Sequence, residues 1–400
     1  MLRIMVIIGT RPEAIKMAPV VKAIAEFPTM LQPIVCVTGQ HREMLDQVLD
    51  IFEITPHYDL SVMQPNQTLS TLTANLIISL DRVMSEAKPD WVLVQGDTTS
   101  AMAAGLVAFY QGVKIGHIEA GLRTHDRKQP FPEEVNRRIT DLMSDLYFTP
   151  TRETSANLLR EGIAEANILI TGNTVIDALL MTAHHVRDEP LDELDVNTDG
   201  KRMILVTSHR RENFGDPFKS VCRALKMLAD RYHDEAIFIF PVHYNPNVRE
   251  PAYSILGGVS NIVLIDPVNY KTMVKLMARS YIVLTDSGGI QEEAPSLHKP
   301  LIILRDVTER QEVVTAGAGL LVGCDEGSIV REVSRLMEDG VHYKSMSTIK
   351  NPYGDGTSSL QIIRAILIHE GLLTTHGWVG VDEDGAPIVT GLQPEVVYQN

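Results

Sequence analysis

Short apolar runs alternate with helix-length amphipathic stretches along almost the whole chain. The runs Arg3 to Ile8, Pro33 to Thr38, Trp91 to Gln95, Lys114 to His117, Leu146 to Phe148 and Ile168 to Ile170 have strand length, as do Met203 to Thr207, Ala236 to Phe240, Ile262 to Ile265, Tyr281 to Leu284 and Leu301 to Leu304. Strands separated by helical segments are the pattern of parallel sheets covered by helices, so the fold class is α/β. About six of the runs precede an acidic seam, Arg187 to Arg202, where Asp188, Glu189, Asp192, Glu193, Asp195 and Asp199 crowd a stretch of little apolar content. About five follow it. The pattern therefore predicts two doubly wound parallel-sheet domains of similar size, with ligands bound in a cleft between them. After Gly371 the periodicity stops: Thr374 to Asn400 holds Asp382, Glu383, Asp384 and Glu395 with no Lys or Arg, and reads as a tail.

Composition narrows the class without changing this picture. A chain of 400 residues with 44% hydrophobic and 22% charged positions has enough apolar content for two or three packed cores, which excludes fibrous and disordered readings. The longest apolar run, Ala101 to Tyr110, falls short of the roughly 20 residues that span a bilayer. The apolar start breaks at Gly9 without a cleavage-site pattern, so a cytoplasmic protein is expected. Cys36, Cys222 and Cys324 lie far apart in apolar surroundings and read as buried, reduced thiols. The net charge of −15 argues against a nucleic-acid partner. It leaves room for a small phosphorylated ligand held by a few local donors.

In open α/β sheets the informative residues lie just past the carboxyl ends of strands. Thr285-Asp286-Ser287-Gly288-Gly289 follows one strand and opens a helix, which suits a diphosphate cradle; Ser287 also fits as an ordinary helix cap. Gly9-Thr10-Arg11-Pro12-Glu13-Ala14-Ile15-Lys16 follows another, with Thr10 and Glu13 at capping-box spacing and Pro12 in the first turn. Arg11 and Lys16 near a helix N-terminus oppose its dipole, and an anionic ligand explains them better than helix stability does.

Three carboxylates come next: Asp97 in Gln95-Gly96-Asp97-Thr98-Thr99, Glu119 in His117-Ile118-Glu119-Ala120-Gly121, and Glu133 in Phe131-Pro132-Glu133-Glu134. Singly they also fit as a helix cap, a partner for Arg123 and a helix-dipole residue. Converging in a partly dry cleft, they would form an acid/base set. Ser208 to Asn213, with His209, and Arg310 offer cations after strands of the second half, while His243 fits best as a structural histidine. The Gly-x-Gly-x-x-Gly, phosphate-loop and Pro-Cys-x-x-Cys patterns are missing, which removes support for dinucleotide, ATP and zinc readings.

The first motif, with Gly96 to Thr99, Glu119-Ala120-Gly121-Leu122-Arg123-Thr124, His209-Arg210-Arg211-Glu212 and Thr285 to Pro295, resembles the bacterial non-hydrolysing UDP-N-acetylglucosamine 2-epimerases in order and spacing over about Met1 to Gly371. The resemblance implies a glycosyltransferase-B architecture: residues 1–170 with a returning helix at 357–373, a UDP-binding domain at 171–356, and the tail 374–400. It implies a homodimer and no cofactor or metal. The reaction it implies is interconversion of UDP-N-acetylglucosamine and UDP-N-acetylmannosamine, with UDP leaving carbon 1 as the carbon 2 proton is removed, through a 2-acetamidoglucal. Asp97, Glu119 and Glu133 match the acid/base residues, without fixing which is acid and which base. Arg11, His209, Ser287, Gly288, Gly289 and Arg310 match the diphosphate site, Lys16 the reacting end and Glu293 the ribose ligand, with Lys16 and His209 counted as catalytic as well as substrate-binding. Met273 stands where relatives often place an aromatic on uracil. Gln40 and His243 match an activator pocket of the family, but Asn66 replaces an Arg there, which counts against activation. A hydrolysing epimerase, a glycosyltransferase of the same fold and a non-catalytic nucleotide-sugar sensor are the other readings, and the retained carboxylates disfavour the sensor.

Overall fold

The computed structural model describes residues 1–39, 42–63, 66–187, 189–191 and 200–373. Gln40, the tail and all the seam acids but Glu189 lie outside the described residues. Two compact units result, one of residues 1–178 with the described segment from Gly356 on, the other of residues 179–355.

In the first unit, β1 (Leu2–Ile8), β2 (Leu31–Val37), β3 (Tyr58–Asp59), β4 (Trp91–Gln95), β5 (Lys114–Ile118), β6 (Leu146–Thr149) and β7 (Ile168–Ile170) form one parallel sheet of order β3-β2-β1-β4-β5-β6-β7. Its central strands are buried on both faces, which explains why Ile4 to Ile8 reads as an unbroken apolar run. On one face Leu72, Leu76, Leu80 and Val83 of the helix Leu69–Ala87 recur at helical spacing and pack on Met5, Ile7, Val92 and Val94. Each such side chain contributes about 1.5–3 kcal/mol by leaving water. The helix Ser358–His369 returns to pack on the helix Arg11–Ala25. It is tied down where Trp91 Nε1 donates to Glu370 (2.9 Å) and the Ser359 N–H donates to Asp177 (2.7 Å). Burial pushes the Asp177 carboxyl up to about 6, against the opposing hydrogen bonds.

The second unit holds β8 (Arg202–Thr207), β9 (Ala236–Pro241), β10 (Ile262–Ile265), β11 (Ile282–Thr285), β12 (Leu301–Ile303) and β13 (Gly319–Leu321), in the parallel order β10-β9-β8-β11-β12-β13. Phe218, Val221, Cys222, Leu225 and Leu228 of the helix Asp216–Arg231 pack on Ile204, Val206, Phe238 and Phe240. Glu189, from the acidic seam, pairs here with Lys271 (2.8 Å) and Lys275 (2.7 Å).

Two strands escape the sequence pattern, β3 and β13. Both are sheet edges; β3 has only two residues, and β13 has one glycine among three. Neither is long enough to show a period. Cys36 and Cys222 are buried thiols whose burial pushes them up to about 12, whereas Cys324 is only partly buried.

In each sheet the strand order reverses once, between β1 and β4 and between β8 and β11. At such a switch point the two following loops turn away from each other and leave room for a ligand at the carboxyl ends of the strands. The loops and first helical turns after these four strands carry Gly9 to Glu13, Gly96 to Thr99, Ser208 to Asn213 and Asp286 to Gly289.

Candidate active site

At the first switch point Thr10 caps the helix Arg11–Ala25, its hydroxyl accepting from the Glu13 N–H at 3.5 Å. The role of Glu13 goes beyond the cap: its buried carboxylate accepts from the Gly9 N–H (3.1 Å) and the Thr98 hydroxyl (2.7 Å), joining the segments after β1 and β4. Burial pushes this carboxyl up to about 7, with the hydrogen bonds from Thr98, Thr10 and Gly9 pulling the other way. A Cβ on Gly9 would lie 2.7 Å from Ser100, so close packing of these loops demands a glycine.

Glu119 follows β5 directly and adopts φ 64°, a left-handed turn rather than a helix. It therefore does not pair with Arg123. Its carboxylate is only 8% exposed and takes hydrogen bonds from Lys16 Nζ (2.6 and 2.7 Å), Asn173 Nδ2 (3.2 Å) and Gln95. Arg123 bridges Asp141 and Glu161, each at 2.7 Å. Asp97 pairs with Arg137, and its main-chain oxygen accepts from Asn136 Nδ2 at 3.0 Å. Both partners lie on the helix Glu133–Met143, which Glu133 opens as a half-buried side chain. Next to it, Glu134 is fully buried and accepts the N–H groups of Thr124 (3.0 Å) and His125 (3.2 Å). Lys16 and Glu119 thus touch, while Asp97 and Glu133 are linked through one helix. Arg11 stands half-buried in the first turn of its helix.

At the second switch point the pin is Asp286, which is wholly buried. It accepts from the Ser208 hydroxyl (2.9 Å), the His209 and Arg210 N–H groups (both 2.9 Å) and Asn213 Nδ2 (3.2 Å). The loop carrying His209 is thereby fixed to the loop carrying Ser287. The His209 imidazole is 43% exposed, 3.6 Å from Asp286 and stacked on His243 with ring centroids 5.6 Å apart. Burial pushes it below its usual range, which Asp286 only partly offsets.

Ser287 precedes the helix Gly288–Glu293 but makes no side-chain cap bond, so its hydroxyl is not spent on the helix. Arg310 Nε donates to the buried Glu292 at 2.7 Å, and the guanidinium carbon lies 3.7 Å from where a Cβ of Gly288 would stand. Glu293 is buried at the end of that helix, and Met273 is half-buried on the helix Tyr270–Arg279. His243 keeps a structural bond as well, Nδ1 accepting from the Asn245 N–H at 3.1 Å.

The residues that sequence reasoning missed are mostly those that hold the others: Glu13, Arg137, Asn173, Asp286 and Glu292. Asp286 had a signal in its place directly after an apolar strand and before Ser-Gly-Gly, one of the positions from which a carboxylate can pin a neighbouring loop.

Two doubly wound parallel sheets, each with its polar loops at the switch point, put the chain in the glycosyltransferase-B class of folds. A glycosyltransferase from Rickettsia africae shares the fold alone, with a TM-score of 0.61 at 13% identity over 93% of this chain and 99% of that one. The family is narrower: the family model for UDP-N-acetylglucosamine 2-epimerase matches residues 22–367, and the chain belongs to that family. The UDP-N-acetylglucosamine 2-epimerase of Escherichia coli K12 is 52% identical over 371 residues, 91% of this chain and 98% of that protein. The crystal structure of UDP-GlcNAc 2-epimerase from Neisseria meningitidis bound to UDP-GlcNAc has a TM-score of 0.81 at 46% identity, covering 92% of this chain and all of that one. Among the described residues, no helix is long and apolar enough to cross a membrane.

Proposed function

We propose that this chain interconverts UDP-N-acetylglucosamine and UDP-N-acetylmannosamine without net hydrolysis, as a cytoplasmic homodimer. The observation that carries the reading is Glu119, left-handed at the end of β5 and held by Lys16 at 2.6 Å, beside a strand whose following loop presents Asp97. The relative that carries UDP-GlcNAc in its structure supports the substrate class.

Carbon 2 of the sugar is not next to a carbonyl, so a carboxylate cannot remove its proton unless something else leaves with the electrons. The C1–O bond to UDP breaks as the C2–H pair forms the C1=C2 double bond. A carboxylate among Asp97, Glu119 and Glu133 takes the proton, and UDP takes the C1–O electron pair. Return of a proton to the opposite face of carbon 2, with UDP re-adding to carbon 1, gives the epimer. No hydride acceptor enters this balance. Arg11, His209, Ser287, Gly288, Gly289 and Arg310 hold the diphosphate, which keeps the leaving group available for return. Glu293 takes the ribose and Met273 packs on uracil. Lys16 stands at the reacting end.

The test is incubation with UDP-N-acetylglucosamine in deuterated water, followed by proton NMR. Deuterium at carbon 2 with UDP-N-acetylmannosamine accumulating supports the reading. Free N-acetylmannosamine with UDP assigns the hydrolysing reaction instead, and binding without exchange assigns a sensor or a transferase.

A further inference from the structure

His117 on β5 is wholly buried, and both of its ring nitrogens face acceptors. Nε2 lies 2.8 Å from the main-chain oxygen of Gly96, and Nδ1 lies 2.6 Å from Asp141 Oδ1. A carbonyl has no hydrogen to give, so Nε2 must carry one. A neutral ring has only that one, and its bare Nδ1 would then set a lone pair against a carboxylate oxygen. The arrangement is satisfied by a ring protonated on both nitrogens. Burial pushes Asp141 up, but His117 and Arg123 outweigh it and hold the carboxyl below its ordinary range, in its ionised form. Arg123 lies 2.7 Å from Asp141 on one side and 2.7 Å from Glu161 on the other, with Arg138 3.8 Å beyond. The charges therefore alternate from His117 through Asp141 and Arg123 to Glu161. The Tyr147 hydroxyl, 2.7 Å from the Asp141 main-chain oxygen, completes the surroundings.

The position of this ring gives it a consequence for the chemistry. His117 lies two residues before Glu119, Gly96 is the residue before Asp97, and Asp141 lies on the helix that Glu133 opens. One imidazole thus ties together the three segments that carry the three carboxylates. We infer that His117 is a positioning residue, held as a buried imidazolium, that sets the Asp97, Glu119 and Glu133 segments in register for proton transfer at carbon 2. The inference rests on the epimerase reading above for the role of those carboxylates.

Neutron diffraction of the wild-type protein exchanged into deuterated buffer reads the ring directly. Deuterium on both Nδ1 and Nε2 is expected. The second measurement is steady-state epimerisation by His117→Gln, whose amide can still donate to the Gly96 oxygen but offers Asp141 no cation. A fall in kcat of about 100-fold is expected, with KM within about threefold, because misplaced reacting groups slow the chemical step more than they weaken binding. Deuterium on a single ring nitrogen overturns the inference, as does a folded variant with wild-type kcat, or one that loses KM and kcat together. The neutron result stands whether or not the variant folds. If the wild-type protein exchanges no carbon 2 hydrogen, the epimerase reading fails on its own.

Discussion

The Thr98 hydroxyl donates to Glu13 at 2.7 Å, so a buried carboxylate spans the switch point of the first sheet. Burial pushes this carboxyl from its ordinary value of 4.5 up to about 7 in the folded protein. The folded state therefore binds this proton more tightly than the unfolded chain, and stability falls as pH rises from about 4.5 to about 7, then levels. The cost above that window is about 3 kcal/mol. Glu13→Gln removes the titration while keeping one acceptor for Gly9 and one donor for Thr98. Thermal unfolding should show the variant gaining on wild type between pH 5 and pH 8, with little difference near the acid end. A difference that does not change with pH would mean that Glu13 does not titrate in this window.

Gly289 makes the opposite case from Gly9. It is exposed, and a Cβ there would meet only Ser287 Oγ, at 4.0 Å. Nothing in the fold requires a glycine at this place, and the proposed diphosphate site gives it a use, close approach by the ligand. Gly289→Ala should keep or slightly raise the melting temperature, since Ala costs a helix less than Gly by up to about 1 kcal/mol. Its affinity for UDP, measured by calorimetry, should fall at least tenfold. Unchanged affinity would remove the loop from the diphosphate site.

The proposed homodimer has a candidate surface in the first unit. The helices Leu69–Ala87, Thr99–Gln111 and Glu133–Met143 pack side by side and leave Ile78, Phe109, Tyr110 and Leu142 exposed, Leu142 by 81%. Large apolar side chains grouped on neighbouring helices suit burial against a second copy. Sedimentation velocity at micromolar concentration should give a dimer for wild type and a monomer for Leu142→Glu. A monomeric wild type would end the proposal.

Much of this was legible in the chain, and what was not has a common cause. The apolar run Ile4 to Ile8 announces a strand because a parallel sheet buries both faces. Local spacing also finds Thr10 as a cap. It fails at Glu13, whose partner Thr98 is 85 residues away, and at Glu119, whose partner Lys16 is 103 residues away. Glu119 and Arg123 have the spacing of a helical pair, but φ 64° at Glu119 breaks the helix that the spacing presupposes. Ser287 looked equally like a cap and a ligand, and only the geometry shows its hydroxyl making no cap bond. Strand ends mark where site residues fall; which loop each one faces is decided by sheet order, which no short motif contains.

Asp97 offers the sharpest test of the chemistry. It pairs with Arg137 and is otherwise partly open, its side chain 27% exposed, so it stays reachable. Asp97→Asn preserves the shape, and the main-chain oxygen that Asn136 holds is untouched. What it removes is a group able to take or give a proton. Loss of one general acid or base costs about 10²–10⁴-fold in rate. Deuterium wash-in at carbon 2 should therefore slow by about 1,000-fold, while UDP affinity stays within about twofold because the proposed diphosphate contacts lie on other residues. If wash-in persists at the wild-type rate, Asp97 leaves the mechanism and the proton passes through Glu119 or Glu133. If UDP binding falls in parallel with rate, Asp97 shapes the site instead of carrying the proton.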